Sequence, residues 1–218
     1  MFYLAPSGLY RCHLLDELDW LEHGFGTRHA AWRPEPLATL RQVHSDRCVY
    51  ADGQPGRLGE GDALFTDRPG LWLGVRTADC VPILIADPER RAVAAVHAGW
   101  RGAARAIAAK VVRALQQRFD SQPRHLIAAL GPAICPACYE VGVEVAALFT
   151  QWDPAITRCC PVHLDLAEMC RRQLLAAGLA EERIALSGLC TRCRPQEFFS
   201  YRGGERHGRM LNAIGRRA

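Results

Sequence analysis

Cys80, in Thr77-Ala78-Asp79-Cys80, and His97, in His97-Ala98-Gly99-Trp100-Arg101-Gly102, are the two side chains best suited to chemistry, and they lie seventeen residues apart. A thiol and an imidazole brought together can share a metal ion or act as nucleophile and base. Between them run two apolar stretches, Val81–Ala86 and Ala92–Val96, separated by the turn signal Asp87-Pro88-Glu89-Arg90. That pattern reads as a β-hairpin. If Asp87 and Arg90 close a tight turn, the register sets Cys80 directly across from His97, with Cβ atoms about 4.5–5.5 Å apart. A third candidate is His44, in Gln42-Val43-His44-Ser45-Asp46, expected at the edge of a strand. Two histidines and one cysteine give zinc three ligands and leave a fourth position open, which is the catalytic arrangement. The plainer alternative is that each residue is simply packed or solvated.

Further segments share a pattern with one known family. They are Gly24-Phe25-Gly26-Thr27-Arg28, Gly61-Asp62-Ala63-Leu64, Gly131-Pro132-Ala133-Ile134, Cys138-Tyr139-Glu140-Val141 and Phe198-Phe199-Ser200-Tyr201-Arg202. With the three ligand motifs, they make the chain resemble the YfiH-type proteins, the "laccase domain" or polyphenol-oxidoreductase family. The resemblance runs in order from about residue 24 to residue 212. It implies a mixed β-sandwich flanked by helices and zinc held by His44, Cys80 and His97. It also implies purine nucleoside phosphorylase activity with an adenosine deaminase side activity. Adenosine and inosine are the expected substrates, with methylthioadenosine a further candidate and phosphate the second reactant. A bacterial branch of the family is known as a peptidoglycan editing factor. The chain departs from the family pattern at His29-Ala30-Ala31, at Cys135 and at Gly203. These departures fall on loops that would select substrate and leave the three ligands untouched.

Composition bounds the rest. The chain has 218 residues, of which 49% are hydrophobic, enough for a sizeable core. Linkers, low-complexity tracts and solenoid-period repeats are missing, so residues 1–218 are expected to form one domain. The net charge of +4 is mild and the arginines are dispersed, which argues against a nucleic-acid surface but suits a small anion. The first residues, Met1-Phe2-Tyr3-Leu4-Ala5-Pro6, do not read as a signal peptide, and no apolar run is long enough to span a bilayer. A cytoplasmic protein with reduced thiols is expected; the oligomeric state is open. The ten cysteines then favour thiols and metal ligation over disulfides. Cys135-Pro136-Ala137-Cys138 and Cys190-Thr191-Arg192-Cys193 each have the spacing of a zinc knuckle, but 51 residues separate them. That exceeds the roughly 15–20 of a zinc ribbon, so packed or loop cysteines are the default for both pairs, with a structural four-cysteine zinc as the alternative. Cys159-Cys160 are expected to be structural.

Strands are predicted at Leu71–Val75, Val81–Ala86, Ala92–Val96, Leu126–Leu130 and Ile184–Leu186, with short ones at Val49-Tyr50 and Ala63–Phe65. Helices are predicted at Ala103–Phe119, Glu140–Thr150 and Leu166–Ala177, the last with Asp165 as N-cap and Gly178 as stop. Hairpins and an excess of strands favour mixed α/β layers over a doubly wound sheet. The first of these helices would point its N-terminal N–H groups at an anion near His97 and Arg101.

Four readings follow, three of them enzymatic. A catalytic zinc lowers the pKa of bound water toward about 7 and could serve adenine deamination. Alternatively it could polarise a nucleoside while phosphate displaces the base, with Arg28 and Arg101 seating phosphate through paired hydrogen bonds. Asp62, Tyr201 and Arg202 complete the expected substrate site; their plainer roles are turn cap, packing and surface charge. Asp79 could orient a ligand, but strand alternation would turn it to the opposite face. In a second chemistry Cys80 is the nucleophile of a metal-free cysteine hydrolase with His97 as base, and peptidoglycan-precursor amide cleavage fits either form. A literal copper laccase is disfavoured. The eight histidines include no His-x-His pair, and Met1, Met169 and Met210 lie far from the ligand motifs in sequence. A zinc-stabilised binding module is disfavoured by the open fourth position.

Overall fold

The two apolar runs flanking Asp87 become the most deeply buried strands of the protein, with all fourteen of their residues inside. A computed structural model of the chain describes residues 1–158 and 161–218; Cys159 and Cys160 fall outside the described residues. The first stretch comprises β1 (Phe2–Leu4), β2 (Tyr10–Cys12), the single-turn α1 (His13–Asp16) and β3 (Leu21–Phe25). Then come β4 (Leu37–Arg41), β5 (Cys48–Tyr50), β6 (Gly56–Glu60), β7 (Ala63–Thr66) and β8 (Trp72–Thr77). The hairpin is β9 (Val81–Asp87) and β10 (Ala92–Ala98), followed by α2 (Trp100–Ala104), α3 (Ile107–Phe119) and β11 (Ile127–Leu130). The remainder is β12 (Glu140–Val141), α4 (Val143–Ala146), β13 (Val162–His163), α5 (Leu166–Ala176), β14 (Ile184–Leu186) and β15 (Met210–Arg216).

A seven-stranded sheet runs β1-β2-β3-β15-β8-β4-β6, and a six-stranded sheet runs β14-β11-β9-β10-β7-β5. Both are mixed: β4 pairs β6 and β8 in parallel, β11 pairs β14 in parallel, and most other contacts are antiparallel. The strand residues of the hairpin divide between two cores. Leu84, Ala86, Val93 and Ala95 pack toward the seven-stranded sheet with Leu73, Val75 and Ile214. Val81, Ile83, Ile85, Ala94 and Val96 pack the other way, against Ile107, Val111 and Leu115 of α3 and Leu174 of α5. A strand covered on both faces reads as a continuous apolar run, which is why these two segments show no polar alternation. The layers are therefore sheet, sheet, helix, and the mixed α/β sandwich expected from the sequence is the observed fold.

Two helix predictions need correction. The predicted helix Ala103–Phe119 is two helices, because Ala106 adopts a left-handed conformation at φ 60° between α2 and α3. The predicted helix Glu140–Thr150 starts instead as β12, which pairs with β13 through Glu140–His163 and Val141–Val162. Only a single turn, α4, and a 3-10 turn follow. By contrast α5 has the predicted cap, the Asp165 carboxylate accepting from the Glu168 N–H at 2.9 Å, and Gly178 stops it at φ 99°.

Candidate metal and substrate site

His97 is the next-to-last residue of β10 and is almost wholly buried. Its neighbour across the ladder is Pro82, not Cys80. The hairpin turn holds four residues, 88–91, with the Asp87 carboxylate accepting from Glu89 N–H at 2.9 Å and Arg90 N–H at 3.0 Å. The true register thus differs by two from the one expected. Because side chains alternate with a period of two, that slip keeps Cys80 on the same face as His97. Cys80 lies just before β9, half-buried.

His44 arrives from the loop between β4 and β5, not from a strand edge, with φ 58°. Asp62 fixes that loop. Its carboxylate accepts from the N–H groups of Val43 (3.3 Å), His44 (3.1 Å) and Ser45 (2.6 Å), and from the Ser45 hydroxyl (2.7 Å). The same carboxylate takes the Nδ1 proton of His97 at 2.8 Å. One fully buried side chain therefore positions two of the three expected ligands. Fixing Nδ1–H toward Asp62 leaves the lone pair of His97 Nε2 for the site. Gln42 secures the loop from the other side, its amide bonding Arg76 N–H and C=O at 2.8 Å each.

The ligand atoms of His44, Cys80 and His97 all lie within 4.8 Å of one another. The two imidazole rings stand edge to face, 4.9 Å between centroids. Room for them depends on Gly99, where a Cβ would fall 2.9 Å from His44 and 3.1 Å from the Cys80 sulfur. The neighbours of Cys80 and Asp62 favour a thiolate and a carboxylate at the site. Burial would push the Cys80 thiol up, but His97 and His44 outweigh it and bring the thiol down to about 6. Burial likewise opposes ionisation of Asp62, yet its bonds from His97 and Ser45 hold the carboxyl near 2. For His97, burial is overcome by the Cys80 charge and the Asp62 bond, which raise it to about 9. A cation would take the place of the proton that this thiolate and imidazole otherwise share.

The three ligands open onto a cavity of about 760 Å³. Its apolar and aromatic wall includes Trp100, Ile134, Tyr139 and Leu166. Arginines 41, 57, 76, 101, 202 and 209 add a basic lining. Among the described residues Arg57, Arg76, Arg101 and Arg202 form no ion pair with a carboxylate. The Arg101 guanidinium lies over the Trp100 ring at 4.2 Å, and that of Arg202 over Tyr139 at 5.1 Å. Tyr201 and Arg202 reach the cavity from the segment before β15.

Two expected residues are placed elsewhere. Arg28 borders a separate cavity of about 1020 Å³ with Thr27, Trp32 and Phe199. There it donates to the Pro195 carbonyl, pairs with Glu205 at 3.0 Å and covers the Phe199 ring at 4.8 Å. Arg76 and Arg209 border both cavities, so the two are neighbours, but Arg28 is not beside the ligands. Asp62 stands behind the histidines with its oxygens engaged and does not border the ligand cavity. The expected anion seat on the long helix is also lost, because α3 starts at Ile107 and only the five-residue α2 follows His97.

Asp79 has a role that alternation did not predict. With φ 87° it leaves the strand pattern and joins the cavity lining. Its carboxylate accepts from the Thr191 hydroxyl and from Arg202 N–H, both at 2.7 Å. It thereby ties the segments carrying Thr191 and Arg202 to the residue before Cys80. A sequence signal existed, Asp directly beside a ligand, but its partners lie more than a hundred residues away.

The family model described as multi-copper polyphenol oxidoreductase laccase matches residues 25–217. A purine nucleoside phosphorylase of Deinococcus radiodurans is 40% identical over 187 residues, covering 83% of this chain and 70% of that protein. A protein named adenosine deaminase RL5, from an unknown prokaryotic organism, is 36% identical over 84% of this chain and 76% of its own. The crystal structure of YlmD from Geobacillus stearothermophilus superposes with a TM-score of 0.90 at 30% identity, covering 100% of this chain and 99% of that one. YfiH of Bacillus licheniformis gives 0.89 at 30% identity, with 99% of each chain covered. With the family model spanning nearly the whole length and the sandwich superposing end to end, the chain belongs to the multi-copper polyphenol oxidoreductase laccase family, alongside the YfiH and YlmD proteins.

Proposed function

We propose that this chain is a zinc-dependent purine nucleoside phosphorylase acting on adenosine and inosine, with adenosine deamination as a side activity. The observation that carries the reading is a three-ligand His44–Cys80–His97 group opening onto a cavity whose Arg57, Arg76, Arg101 and Arg202 have no carboxylate partner among the described residues. The relatives named purine nucleoside phosphorylase and adenosine deaminase support it. The donor set fits zinc: one thiolate, two imidazoles, and an outer carboxylate on one imidazole. Zinc bound there supplies Lewis acidity for polarising a substrate or activating water.

The chain's own residues supply the rest. Phosphorolysis forms a bond from an oxygen of hydrogen phosphate to ribose C1′ as the glycosidic C–N bond breaks, the phosphate proton passes to the purine nitrogen, and ribose 1-phosphate and free base result. Arg101, with Arg76, Arg202 and Arg209, offers guanidinium forks to the phosphate oxygens. Tyr139 and Trp100 present apolar rings to a planar purine. Asp79 holds the Arg202 backbone, and Asp62 keeps His97 and His44 in place. The proposed compartment is the cytoplasm, where the thiols stay reduced.

A second reading has one observation in its favour. Cys80, His97 and Asp62 form a thiolate–imidazole–carboxylate chain, the order of a cysteine hydrolase. His44 weighs against it, because a nucleophile and base need no second imidazole on the sulfur. For copper oxidase chemistry, the one histidine-containing ligand group among the described residues holds two histidines, too few for a multicopper cluster.

Metal content and turnover of Cys80→Ala distinguish these readings. Loss of the metal at this site together with loss of nucleoside turnover, in a folded protein, is expected. Full metal retention with lost activity would favour the cysteine hydrolase. In Arg101→Ala the phosphate KM should rise by roughly the tenfold or more that a charged hydrogen bond supplies, with bound zinc unchanged. An unaltered phosphate KM would remove Arg101 from the anion site.

A further inference from the structure

The four cysteines of the two zinc-knuckle spacings, 51 residues apart in sequence, come together in space. The sulfurs of Cys135, Cys138, Cys190 and Cys193 all lie within 4.8 Å of one another. Tetrahedral zinc with Zn–S bonds of about 2.3 Å spaces its four sulfurs about 3.8 Å apart, so the cluster is of the right size. The Cys138 and Cys193 sulfurs are 3.4 Å apart.

The backbone is arranged to suit thiolates. Each Cys-x-x-Cys is a tight turn, closed by Cys138 N–H to Cys135 C=O at 3.0 Å in one and Arg194 N–H to Cys190 C=O at 3.2 Å in the other. The Cys190 sulfur accepts two backbone N–H bonds, from Cys135 at 3.3 Å and Cys193 at 3.4 Å. The two turns are held together by a parallel bridge, Ala133 with Cys190, whose N–H groups pair as Ala133 to Leu189 C=O and Thr191 to Ala133 C=O. Four soft sulfur donors converging from two pre-formed turns make a closed site, with no position left for substrate.

We propose that Cys135, Cys138, Cys190 and Cys193 bind a second, structural zinc, independent of the His44–Cys80–His97 site. Four S–H protons leave to solvent as four Zn–S bonds form. The position of this site gives it a task. One knuckle is flanked by Ile134 and Tyr139, both in the wall of the ligand cavity. The other contains Thr191, whose hydroxyl holds Asp79 next to Cys80. Zinc therefore staples the residue 133–139 segment to the residue 189–193 segment and stiffens two sides of the cavity without touching substrate.

Zinc counting by elemental analysis and native mass spectrometry, on protein expressed with added zinc, tests this proposal. Two zinc ions per wild-type chain are expected, and one each in Cys193→Ser, Cys138→Ser and Cys80→Ala. Cobalt-loaded Cys80→Ala should show the intense sulfur-to-metal absorption of a four-thiolate site. Should the serine variants fail to fold, alkylation mapping of the wild-type chain gives the answer: zinc should protect these four cysteines, and a chelator should expose all four. A Cys138–Cys193 disulfide in freshly purified protein, iron in place of zinc, unprotected thiols, or one zinc in the wild type that Cys193→Ser retains would each overturn the proposal. The outcome is separate from the proposed reaction, which depends on the zinc lost in Cys80→Ala.

Discussion

Asp62 shows how much of the site rests on a residue that is not a ligand. It orients His97 through Nδ1 and clamps the three N–H groups that hold His44 in its left-handed conformation. Asp62→Asn keeps the shape but reduces the acceptor strength and brings a donor against one of those N–H groups. Outer partners of this kind are worth about 10–100-fold in metal affinity or activity. Chelator competition should show a loss in that range; unchanged zinc affinity would mean that the carboxylate serves only the loop. The convergence of His44, Cys80 and His97 was legible in the sequence because each lies in a long motif, and the register error, being even, did no harm. Arg28 was not legible. Its motif places it near the start of the family match, but only the folded chain shows Glu205 and the Pro195 carbonyl already holding it.

At the scale of elements, turns place the ligands. The four-residue hairpin turn sets which residue faces His97, and the Asp79 turn carries Cys80 out of the strand. Gly102 in α2 is a further contact of this kind. A Cβ there would lie 2.7 Å from the carbonyl oxygen of Ser45, in the loop that carries His44. Gly102→Ala must therefore move either α2 or the loop. A stability loss of about 1–3 kcal/mol, as for other overpacked sites, should accompany weaker zinc retention, both measured by denaturant titration with and without chelator. If stability falls while zinc affinity is unaltered, α2 has moved instead of the loop. The seven predicted strands were read correctly because covered strands leave continuous apolar runs and bounded turns, whereas β1, β2, β3, β4, β6 and β15, six of the seven strands of the larger sheet, were not predicted. The break at Ala106 was not legible, because alanine is the residue least expected to leave a helix and Ala104, Ile107 and Val111 keep helical spacing across it. Nor was β12, since a two-residue pairing with Val162–His163 is long-range and leaves no periodicity.

For the whole molecule, the seven-stranded sheet packs on one face of the six-stranded sheet through the buried hairpin β9–β10, so unfolding one sheet strips a face of the other. We propose on this ground that the chain unfolds as one domain, with a single transition by circular dichroism and by tryptophan fluorescence at fixed metal; two separated transitions would contradict it. That transition should also depend on pH through His23. This side chain of β3 is buried, and its Nε2 accepts the Cys12 N–H at 2.8 Å. Burial, then the Arg11 charge, lower its pKa from 6.5 to about 4, with Asp16 opposing. Between those values the unfolded chain binds the extra proton, so stability is full above about pH 6.5. It then falls by up to about 1.4 kcal/mol per pH unit on acidification toward 4. His23→Gln should flatten that part of the profile; an identical slope in both proteins would show that His23 is charged in the fold. Mixed α/β layers followed from buried apolar runs and hairpin signals and the sandwich from the family resemblance, whereas the cavity gathers arginines from positions 41 to 209 and no local pattern announces it.

The central claim is phosphate-dependent cleavage of a purine nucleoside at the His44–Cys80–His97 cavity. The direct measurement incubates zinc-loaded protein with adenosine and with inosine, with and without phosphate. Free base, ribose 1-phosphate and ammonia are resolved separately. The account predicts base release only with phosphate, one ribose 1-phosphate per base, and phosphate-independent ammonia from adenosine alone. No turnover of any purine nucleoside, together with cleavage of a peptidoglycan precursor amide by the same preparation, would contradict it.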